Sequence, residues 1–194
     1  MPTHPTSAPR QSRVRRRLLD AAVSLFYSEG IRSVGVDRII ATADVAKGSF
    51  YKHFPTKDDL VRAYVEEQDR RGRAAADGFV GRSPRAKLLA IIDSYAVAAH
   101  QPGYRGCPFI NAAAEYPDPE SPIRAAVAEH RRWLRELFRE LLTADGHPRP
   151  GPAGDMLILI ADGVLVGGEL DNLAGLRIRA RDAAIGALAY SAKA

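Results

Sequence analysis

The sequence predicts an all-α protein of about nine helices, with an N-terminal helix-turn-helix domain of three helices and a larger helical domain after it. No segment alternates apolar and polar residues at the period of a strand, and apolar residues recur instead at helical spacing. Prolines and glycines divide the chain into helix-length pieces. We place the domains at residues 10–55 and 56–194, after a proline-rich tail over residues 1–9 that we expect to be disordered.

Three helices fit the N-terminal domain. Apolar side chains within residues 14–26 recur every three or four positions, so they lie on one face of a first helix. This helix is expected to begin near Ser12 and to end at Gly30. Two short helices follow, over about residues 36–43 and 47–54.

Capping residues mark where the later helices begin. Thr56 and Asp59 form a capping box that opens a long fourth helix. Ser83, Cys107 and Ser121 each precede a proline, which is the pattern of an N-cap followed by proline at the first helical position. The predicted helices extend over about residues 57–79, 84–101, 108–116, 122–143, 153–171 and 175–190.

Positive charge is concentrated in the first third of the chain. Residues 1–57 carry ten Lys or Arg against four Asp or Glu, whereas the rest of the chain carries 18 against 19. This asymmetry indicates a nucleic-acid-binding module joined to a neutral one. A basic tail that serves only solubility gives similar totals and remains an alternative.

Composition argues against several classes of protein. The longest apolar stretch, residues 156–170, contains Asp162 and Glu169 and is shorter than the ~20 residues of a membrane span. Residues 1–9 lack the apolar segment of a signal peptide, so we expect a cytoplasmic protein. The single cysteine, Cys107, excludes an internal disulfide, and the five histidines lack the spacing of metal ligands. We predict no metal and no cofactor.

Residues 36–60 pair two short helices through a tight turn. This geometry sets the second helix into the major groove of DNA while the first supports it. Phe50 and Phe54 belong to the predicted core, and the residues left outside are polar or aromatic, which suits phosphate oxygens and base edges. The outside residues are Lys47, Ser49, Tyr51, Lys52 and His53. Ordinary surface helices carry similar side chains, so this segment by itself leaves that alternative open.

The segment over residues 14–60 resembles the N-terminal domain of the TetR/AcrR family of repressors. The resemblance rests on the amphipathic first helix that ends at Gly30, the run VAKGSFYKHF at residues 45–54, and the run PTKDDL directly after it. It implies a DNA-binding transcriptional regulator. More specifically, it implies a ligand-released repressor that binds a palindromic operator as a homodimer.

In this resemblance the third helix is the recognition helix. Tyr51 and His53 would mostly hold phosphates, and Lys47, Ser49 and Lys52 would lie nearer the bases. Lys57, at the start of the fourth helix, would add charge and helix-end N–H groups to a phosphate. The arginines of the first helix would reach the DNA backbone or minor groove, unless they form a solvated basic tail. They are Arg13, Arg15, Arg16 and Arg17.

The sequence departs from the family pattern at two positions. Asp44 stands where the turn usually has glycine, and the turn should survive because Asp tolerates the left-handed conformation better than most residues. Gly35 stands where the family often has a threonine or serine that caps the second helix and contacts a phosphate. Glycine can still cap, but that side-chain contact to DNA is lost.

The last two helices form the predicted dimer interface. Residues 156–168 are apolar almost all round, so we expect this helix to be buried on more than one side, with glycines that allow close helix approach. The resemblance implies a four-helix seam between two subunits, and the core of a monomer is the alternative. The residues assigned to the interface are Gly163, Gly167, Ile178 and Ile185.

Aromatic and polar side chains on the helices between residues 84 and 143 predict a cavity for a small apolar or aromatic effector. Aromatics at helical spacing also form ordinary core, which is the alternative. The candidate lining residues are Tyr95, His100, Tyr104, Cys107, Phe109, Asn111, Glu115, Tyr116, His130, Trp133 and Phe138.

Cys107 has a second interpretation. As the N-cap of a helix beside Arg105, its thiolate would be favoured by the helix dipole and by the cation, as in a redox or electrophile sensor. An unreactive buried cysteine is the alternative.

No common catalytic motif occurs in the sequence, which lacks GxSxG, HExxH, P-loop and GxGxxG patterns. We therefore predict that the protein is not an enzyme. The main alternative is a helical small-molecule-binding protein or enzyme with an incidental basic N-terminus. A second alternative is a helix-turn-helix protein that binds RNA or the nucleoid without preference for a palindrome.

Overall fold

The structure, a computed structural model, describes residues 8–79, 82–171 and 174–190. Within these residues it contains nine helices and no strand, so the all-α prediction is confirmed. The helices are α1 (Ala8–Glu29), α2 (Val36–Ala43), α3 (Lys47–His53), α4 (Lys57–Asp77), α5 (Pro84–Ala98), α6 (Pro108–Glu115), α7 (Pro122–Ala144), α8 (Pro150–Leu170) and α9 (Leu176–Leu188).

Two helices begin earlier than predicted. Helix α1 begins at Ala8 rather than near Ser12, because Pro9 lies in the first turn, where its missing N–H costs no hydrogen bond. Helix α8 begins at Pro150 rather than near Ala153 for the same reason. The rest of the predicted tail, residues 1–7, lies outside the described residues.

Side-chain caps determine where α4, α5 and α7 begin. At α4 the Thr56 hydroxyl oxygen accepts from the Asp59 backbone N–H (3.1 Å), and the Asp59 carboxylate accepts from the Thr56 N–H (3.0 Å). Ser83 and Ser121 likewise accept from backbone N–H groups in the first turns of α5 and α7. The capping residues that the sequence predicted therefore set these boundaries.

The core consists of two clusters that α4 brings together. The N-terminal cluster packs α1, α2 and α3 around fully buried Leu18, Ile39 and Phe50. Tyr64 of α4 belongs to this cluster and meets Phe26 edge to face, with ring centroids 5.6 Å apart. The second cluster joins α5, α7, α8 and α9, and Ala76 near the end of α4 belongs to it. Helix α4 thus contributes to both cores, as does α7 through Val127 and Phe138.

Among the described helices, none combines the length and hydropathy that a membrane-spanning segment requires.

Candidate DNA interface and effector cavity

The turn between α2 and α3 is held by Asp44. Its backbone is left-handed (φ 49°, ψ 58°), and its N–H donates to the Ala41 carbonyl. One terminal nitrogen of Arg17, on α1, donates to both the Asp44 carbonyl oxygen and its carboxylate, each at 2.8 Å. The structure therefore has the turn that the sequence predicted with aspartate in place of glycine, and α1 supports it.

Helix α3 presents two different faces. Phe50 is fully buried, and Phe54 just after the helix is buried beside it, with ring centroids 6.2 Å apart. These two rings anchor the helix to the N-terminal core. The five residues of α3 that were assigned to DNA all lie outside this core, with Lys47, Tyr51 and Lys52 exposed and Ser49 and His53 half-buried.

Four of the predicted DNA ligands already have polar protein partners, among them Arg16, which pairs with Asp20 and Glu67. Lys47 donates to the Asp37 carboxylate (2.9 Å), and Arg17 is bound to Asp44 as described. Lys57 is half-buried, and its ammonium donates to the Ile31 carbonyl (2.6 Å) while it lies over the Phe26 ring. Burial lowers the pKa of Lys57. Lys57 thus packs within the domain here, whereas Arg13 is exposed.

A cavity of about 370 Å³ lies between the two cores. Its walls come from α1, α4, α5, α6, α7, α8 and the loop before α6. Six of the side chains predicted to line an effector cavity do line it, and they are Tyr95, Tyr104, Cys107, Phe109, His130 and Trp133.

The other predicted lining residues lie elsewhere. His100 is exposed in the turn after α5, where its Nδ1 contacts the Ala96 carbonyl (2.8 Å). Asn111 and Glu115 face away from the cavity on α6, toward a second space of about 330 Å³ beside the N-terminal core. Tyr116 donates to Asp58 (2.7 Å), and Phe138 is fully buried in the second core. The structure therefore places none of these five residues on the wall of the 370 Å³ cavity.

Helix α4 supplies a wall that the sequence analysis missed. Its cavity-facing positions repeat at i, i+3, i+4 and i+7, and three of them are glycine or alanine, too small to fill the space beside them. The sequence signal that could have revealed this wall is a stripe of small residues at helical spacing within an otherwise charged helix. The positions on α4 are Gln68, Arg71, Gly72, Ala75 and Ala76, and Phe79 lines the cavity from just after the helix.

Three aromatic rings form one side of the cavity. His130 stacks on Phe109 with centroids 3.5 Å apart and an interplanar angle of 6°, and it lies 5.4 Å from Trp133. The His130 ring also bonds through Nδ1 to the Asp69 carboxylate (2.9 Å). Burial lowers the pKa of His130 more strongly than Asp69 raises it, which favours the neutral ring.

Cys107 lines the cavity as a buried thiol and lacks the features of an activated thiolate. It is 7% exposed, and its side chain makes no N-cap hydrogen bond to α6. Burial raises its pKa above the ordinary value. The guanidinium of Arg105 pairs instead with Glu169 (2.7 Å). Desolvation outweighs the opposing influence of the Phe109 and Ile110 backbone N–H groups, so the structure gives no support to the expected stabilisation of the thiolate.

Helices α8 and α9 expose apolar side chains on their outer faces. Leu159 and Leu170 of α8 are 71% and 74% exposed, and Ile178 of α9 is 67% exposed. Val166 and Ile185 are exposed on the same two helices, and Gly163 lies on the α8 surface with no atom near its Cβ direction. Within one chain, this part of α8 is thus buried on one side only.

Close helix approach occurs at only one of the three glycines of this segment. A Cβ on Gly168 would lie 2.5 Å from the Cβ of Ala99 on the end of α5. A Cβ on Gly167 would meet only the Asp171 side chain, at 3.6 Å. Within one chain, close helix approach therefore occurs at Gly168, whereas Gly163 and Gly167 contact no neighbouring helix.

The loop before α6 and the end of α6 connect the cavity to the N-terminal domain. The Tyr27 hydroxyl of α1, which lines the cavity, donates to the Gly106 carbonyl (3.1 Å) and accepts from the Arg105 N–H (3.0 Å). The Glu115 carboxylate accepts from the backbone N–H groups of Ile31 (2.8 Å) and Arg32 (2.6 Å). A shift of α6 would therefore act directly on the segment between α1 and α2.

Two family models match the chain over the regions just described. The model described as "Bacterial regulatory proteins, tetR family" matches residues 18–64, and the model described as "Tetracyclin repressor-like, C-terminal domain" matches residues 84–148. The first contains the helix-turn-helix, and the second contains α5, α6 and α7, which line the cavity.

Known proteins resemble most of the chain. The transcriptional regulator AcuR of Cereibacter sphaeroides is 33% identical over 159 residues, covering 74% of this chain and 72% of that protein. The repressor KstR of Rhodococcus jostii is 29% identical over 86 residues, covering 44% of this chain and 41% of that protein. The solved structure of SCO4454, a TetR-family transcriptional regulator from Streptomyces coelicolor, superposes with a TM-score of 0.85 and 40% identity, covering 92% of this chain and 96% of that one. The chain thus has an N-terminal helix-turn-helix with an exposed polar face, and α4 joins it to a helical domain with a cavity. It belongs to the TetR family of transcriptional regulators.

Proposed function

We propose that this regulator is a ligand-released repressor that binds a palindromic operator as a homodimer. The observation that carries the proposal is the link between the cavity and the helix-turn-helix domain. Tyr27 lines the cavity from α1, and Glu115 binds the backbone just before α2. A ligand that changes the position of α6 or α4 would therefore change the position of the recognition helix. Coupling of this kind is typically worth about 1–3 kcal/mol.

The DNA-binding domain comprises residues 10–55, and residues 56–194 form the effector-binding and dimerisation domain, with α4 extending into both cores. Tyr51 and His53 hold phosphates, while Lys47, Ser49 and Lys52 lie near the bases. Lys47 exchanges Asp37 for DNA when it binds, because an exposed ion pair of this kind is weak. Arg13, Arg17 and Lys57 strengthen the contact with the backbone. For Arg17 and Lys57 this requires release from Asp44 and from the Ile31 carbonyl.

The homodimer forms through the outer faces of α8 and α9. A contiguous exposed apolar surface favours association, and a two-fold axis places two recognition helices on half-sites about one turn of DNA apart. The exposed Leu159, Val166 and Ile178 would be buried in this seam, and Gly163 would allow the helices to approach closely.

The dimer is tested by placing a charge in the seam. Leu159→Glu should produce monomers in light scattering and strongly weaken operator binding, because a buried unpaired carboxylate is costly. Ala128→Glu, which adds the same charge to an exposed position on α7, is the matched control and should remain dimeric. A monomeric wild-type protein at micromolar concentration would contradict the proposal.

Operator binding and release are tested together. Selection from random duplexes should enrich an inverted repeat, and its affinity should fall steeply as salt rises. Candidate ligands are then screened by the fluorescence of Trp133, the single tryptophan, which lines the cavity. A true effector should change this emission and weaken operator binding over one concentration range. Equal binding to scrambled duplexes would reject the proposed function.

A further inference from the structure

The charged groups around the cavity differ in how completely they are paired. Arg131 donates through both terminal nitrogens to the two carboxylate oxygens of Asp162, at 2.9 and 2.8 Å. Arg71 donates through Nε alone, to one oxygen of Glu67 at 2.9 Å. The two terminal nitrogens of Arg71 donate to no residue in the part of the chain that the structure describes. Of the two arginines that line the cavity, Arg71 is therefore the one whose terminal N–H groups have no partner among the described residues.

The surroundings of Arg71 carry an excess positive charge. Glu67 is only 6% exposed, and three guanidinium groups contact it. Arg70 binds both of its oxygens, and Arg16 of α1 lies 3.4 Å away. Arg16 also pairs with Asp20, so three cations share two carboxylates within this cluster. Of the three, Arg71 alone lines the cavity.

The rest of the wall offers little to an anion but much to an apolar group. Tyr95, Phe109 and Trp133 present aromatic surface, and His130 is held by Asp69 and favours its neutral form. Asp162, a carboxylate on the wall, is neutralised by Arg131. An anionic head group thus has one complementary position, which is next to Arg71.

We propose that the effector of this regulator is an apolar or aromatic carboxylic acid whose carboxylate binds the terminal nitrogens of Arg71, while its apolar body lies against Tyr95, Phe109 and Trp133. The inference deepens the proposed function, since it names the chemical class of the ligand that releases the operator. A guanidinium binds a carboxylate through two parallel hydrogen bonds, and this geometry distinguishes an acid from a neutral amide of the same shape.

The same contact explains how the ligand is sensed in the DNA-binding domain. The ligand carboxylate would share Arg71 with Glu67, which holds Nε and is also bound to Arg16 of α1. The ligand then offsets part of the positive charge that faces Glu67, so the pairing of Glu67 with Arg16 strengthens. The ion pair that joins α4 to α1 therefore changes with the occupancy of the cavity.

The test uses the full-length protein and two matched pairs of probes, 4-phenylbutyrate with 4-phenylbutyramide and decanoate with decanamide. Binding is followed by Trp133 fluorescence without DNA. At least one acid should bind about tenfold or more tightly than its amide, as expected for a charge-assisted pair. Arg71→Gln should bind acid and amide alike, and Arg71→Lys should retain part of the preference.

Arg70→Gln is the matched control. It removes the same charge from the same helix and the same carboxylate, but Arg70 does not line the cavity, so the acid preference should persist. Equal affinities for acid and amide in the wild type, binding of neither, or a preference that survives Arg71→Gln would each overturn the inference.

The fluorescence assay separates this inference from the proposed function. If the acid binds through Arg71 but the protein has no preferred operator, the repressor proposal fails and the binding site stands. If the operator is bound and only neutral or cationic molecules release it, the proposed function stands and the acid is rejected.

Discussion

The outer face of α3 and the wall of the cavity are the two proposed binding surfaces, and they are built in opposite ways. The α3 surface comes from seven consecutive residues, Lys47–His53, and its outward side chains contribute little to the core. The cavity wall draws on six helices, α1 and α4 to α8, and many of its side chains are also part of the core. Phe109, for example, is buried and stacks on His130.

This difference separates two kinds of substitution. A change on the outer face of α3 should alter DNA binding and leave the free energy of unfolding almost unchanged. A change in the cavity wall should alter both ligand binding and stability, because the same atoms serve both. The predictions below test this separation, from the largest expected effect to the smallest.

Phe109→Ala should cost about 3 kcal/mol in the free energy of unfolding, at the lower end for a buried aromatic because the ring already borders a cavity. Denaturant unfolding at fixed protein concentration measures this value. A loss below about 1 kcal/mol would mean that the cavity wall contributes as little to stability as the α3 surface does. That result would contradict the difference between the two regions.

Gly168→Ala should destabilise the protein by about 1–3 kcal/mol, because the added Cβ would lie 2.5 Å from the Cβ of Ala99 and two helices would have to separate. Gly72→Ala is the matched control on α4. Its added Cβ meets only the His130 ring, at an ordinary 3.6 Å, so the gain in helix propensity should stabilise the protein by about 0.5–1 kcal/mol. Thermal unfolding of the two variants should shift in opposite directions, and a shared direction would contradict the packing described here.

Tyr51→Phe should weaken binding to every operator variant by about 1 kcal/mol, because it removes the hydroxyl that we propose binds a phosphate and keeps the ring that meets Phe50 at 5.1 Å. Ser49→Ala should instead change which base is preferred at one position. Both variants should unfold like the wild type. Gel-shift titrations on a set of single-base operator variants measure the two patterns, and the reverse assignment would mean that the roles are exchanged.

The smallest expected effect is a dependence of stability on pH through His130. Burial lowers the pKa of the folded-state ring from its ordinary value of 6.5, against the opposing hydrogen bond to the Asp69 carboxylate, and the nearby Arg73 and Arg131 also disfavour protonation. The unfolded chain therefore binds a proton that the folded chain resists. The free energy of unfolding should fall as pH drops through about 6.5, then level off below the folded pKa.

His130→Gln should flatten this decline. Unfolding curves between about pH 7.5 and 5 would measure this change. The pKa of Glu67 lies below its ordinary 4.5, so the stability that its ionised carboxylate contributes is lost only at a lower pH. An unchanged slope in His130→Gln would show that the ring titrates normally in the folded protein.

Local rules in the sequence determined the helices and the α3 surface. A helix repeats every 3.6 residues, so Phe50 and Tyr51 necessarily face different directions, and the outward set of α3 follows from the letters alone. The capping box at Thr56 and Asp59 and the turn at Asp44 are likewise decided by neighbours in the chain.

Only the tertiary structure decided the cavity and the pairing of charges. His100 and Tyr104 are close in sequence and equally suited to a cavity, yet packing leaves the first in solvent and brings the second to the wall. Lys57 and Arg17 have the chemistry of phosphate ligands, but their partners lie 26 and 27 positions away in the chain. The physical reason is that a helix's local pattern determines which face is apolar, whereas the neighbour of that face depends on how all the helices pack together.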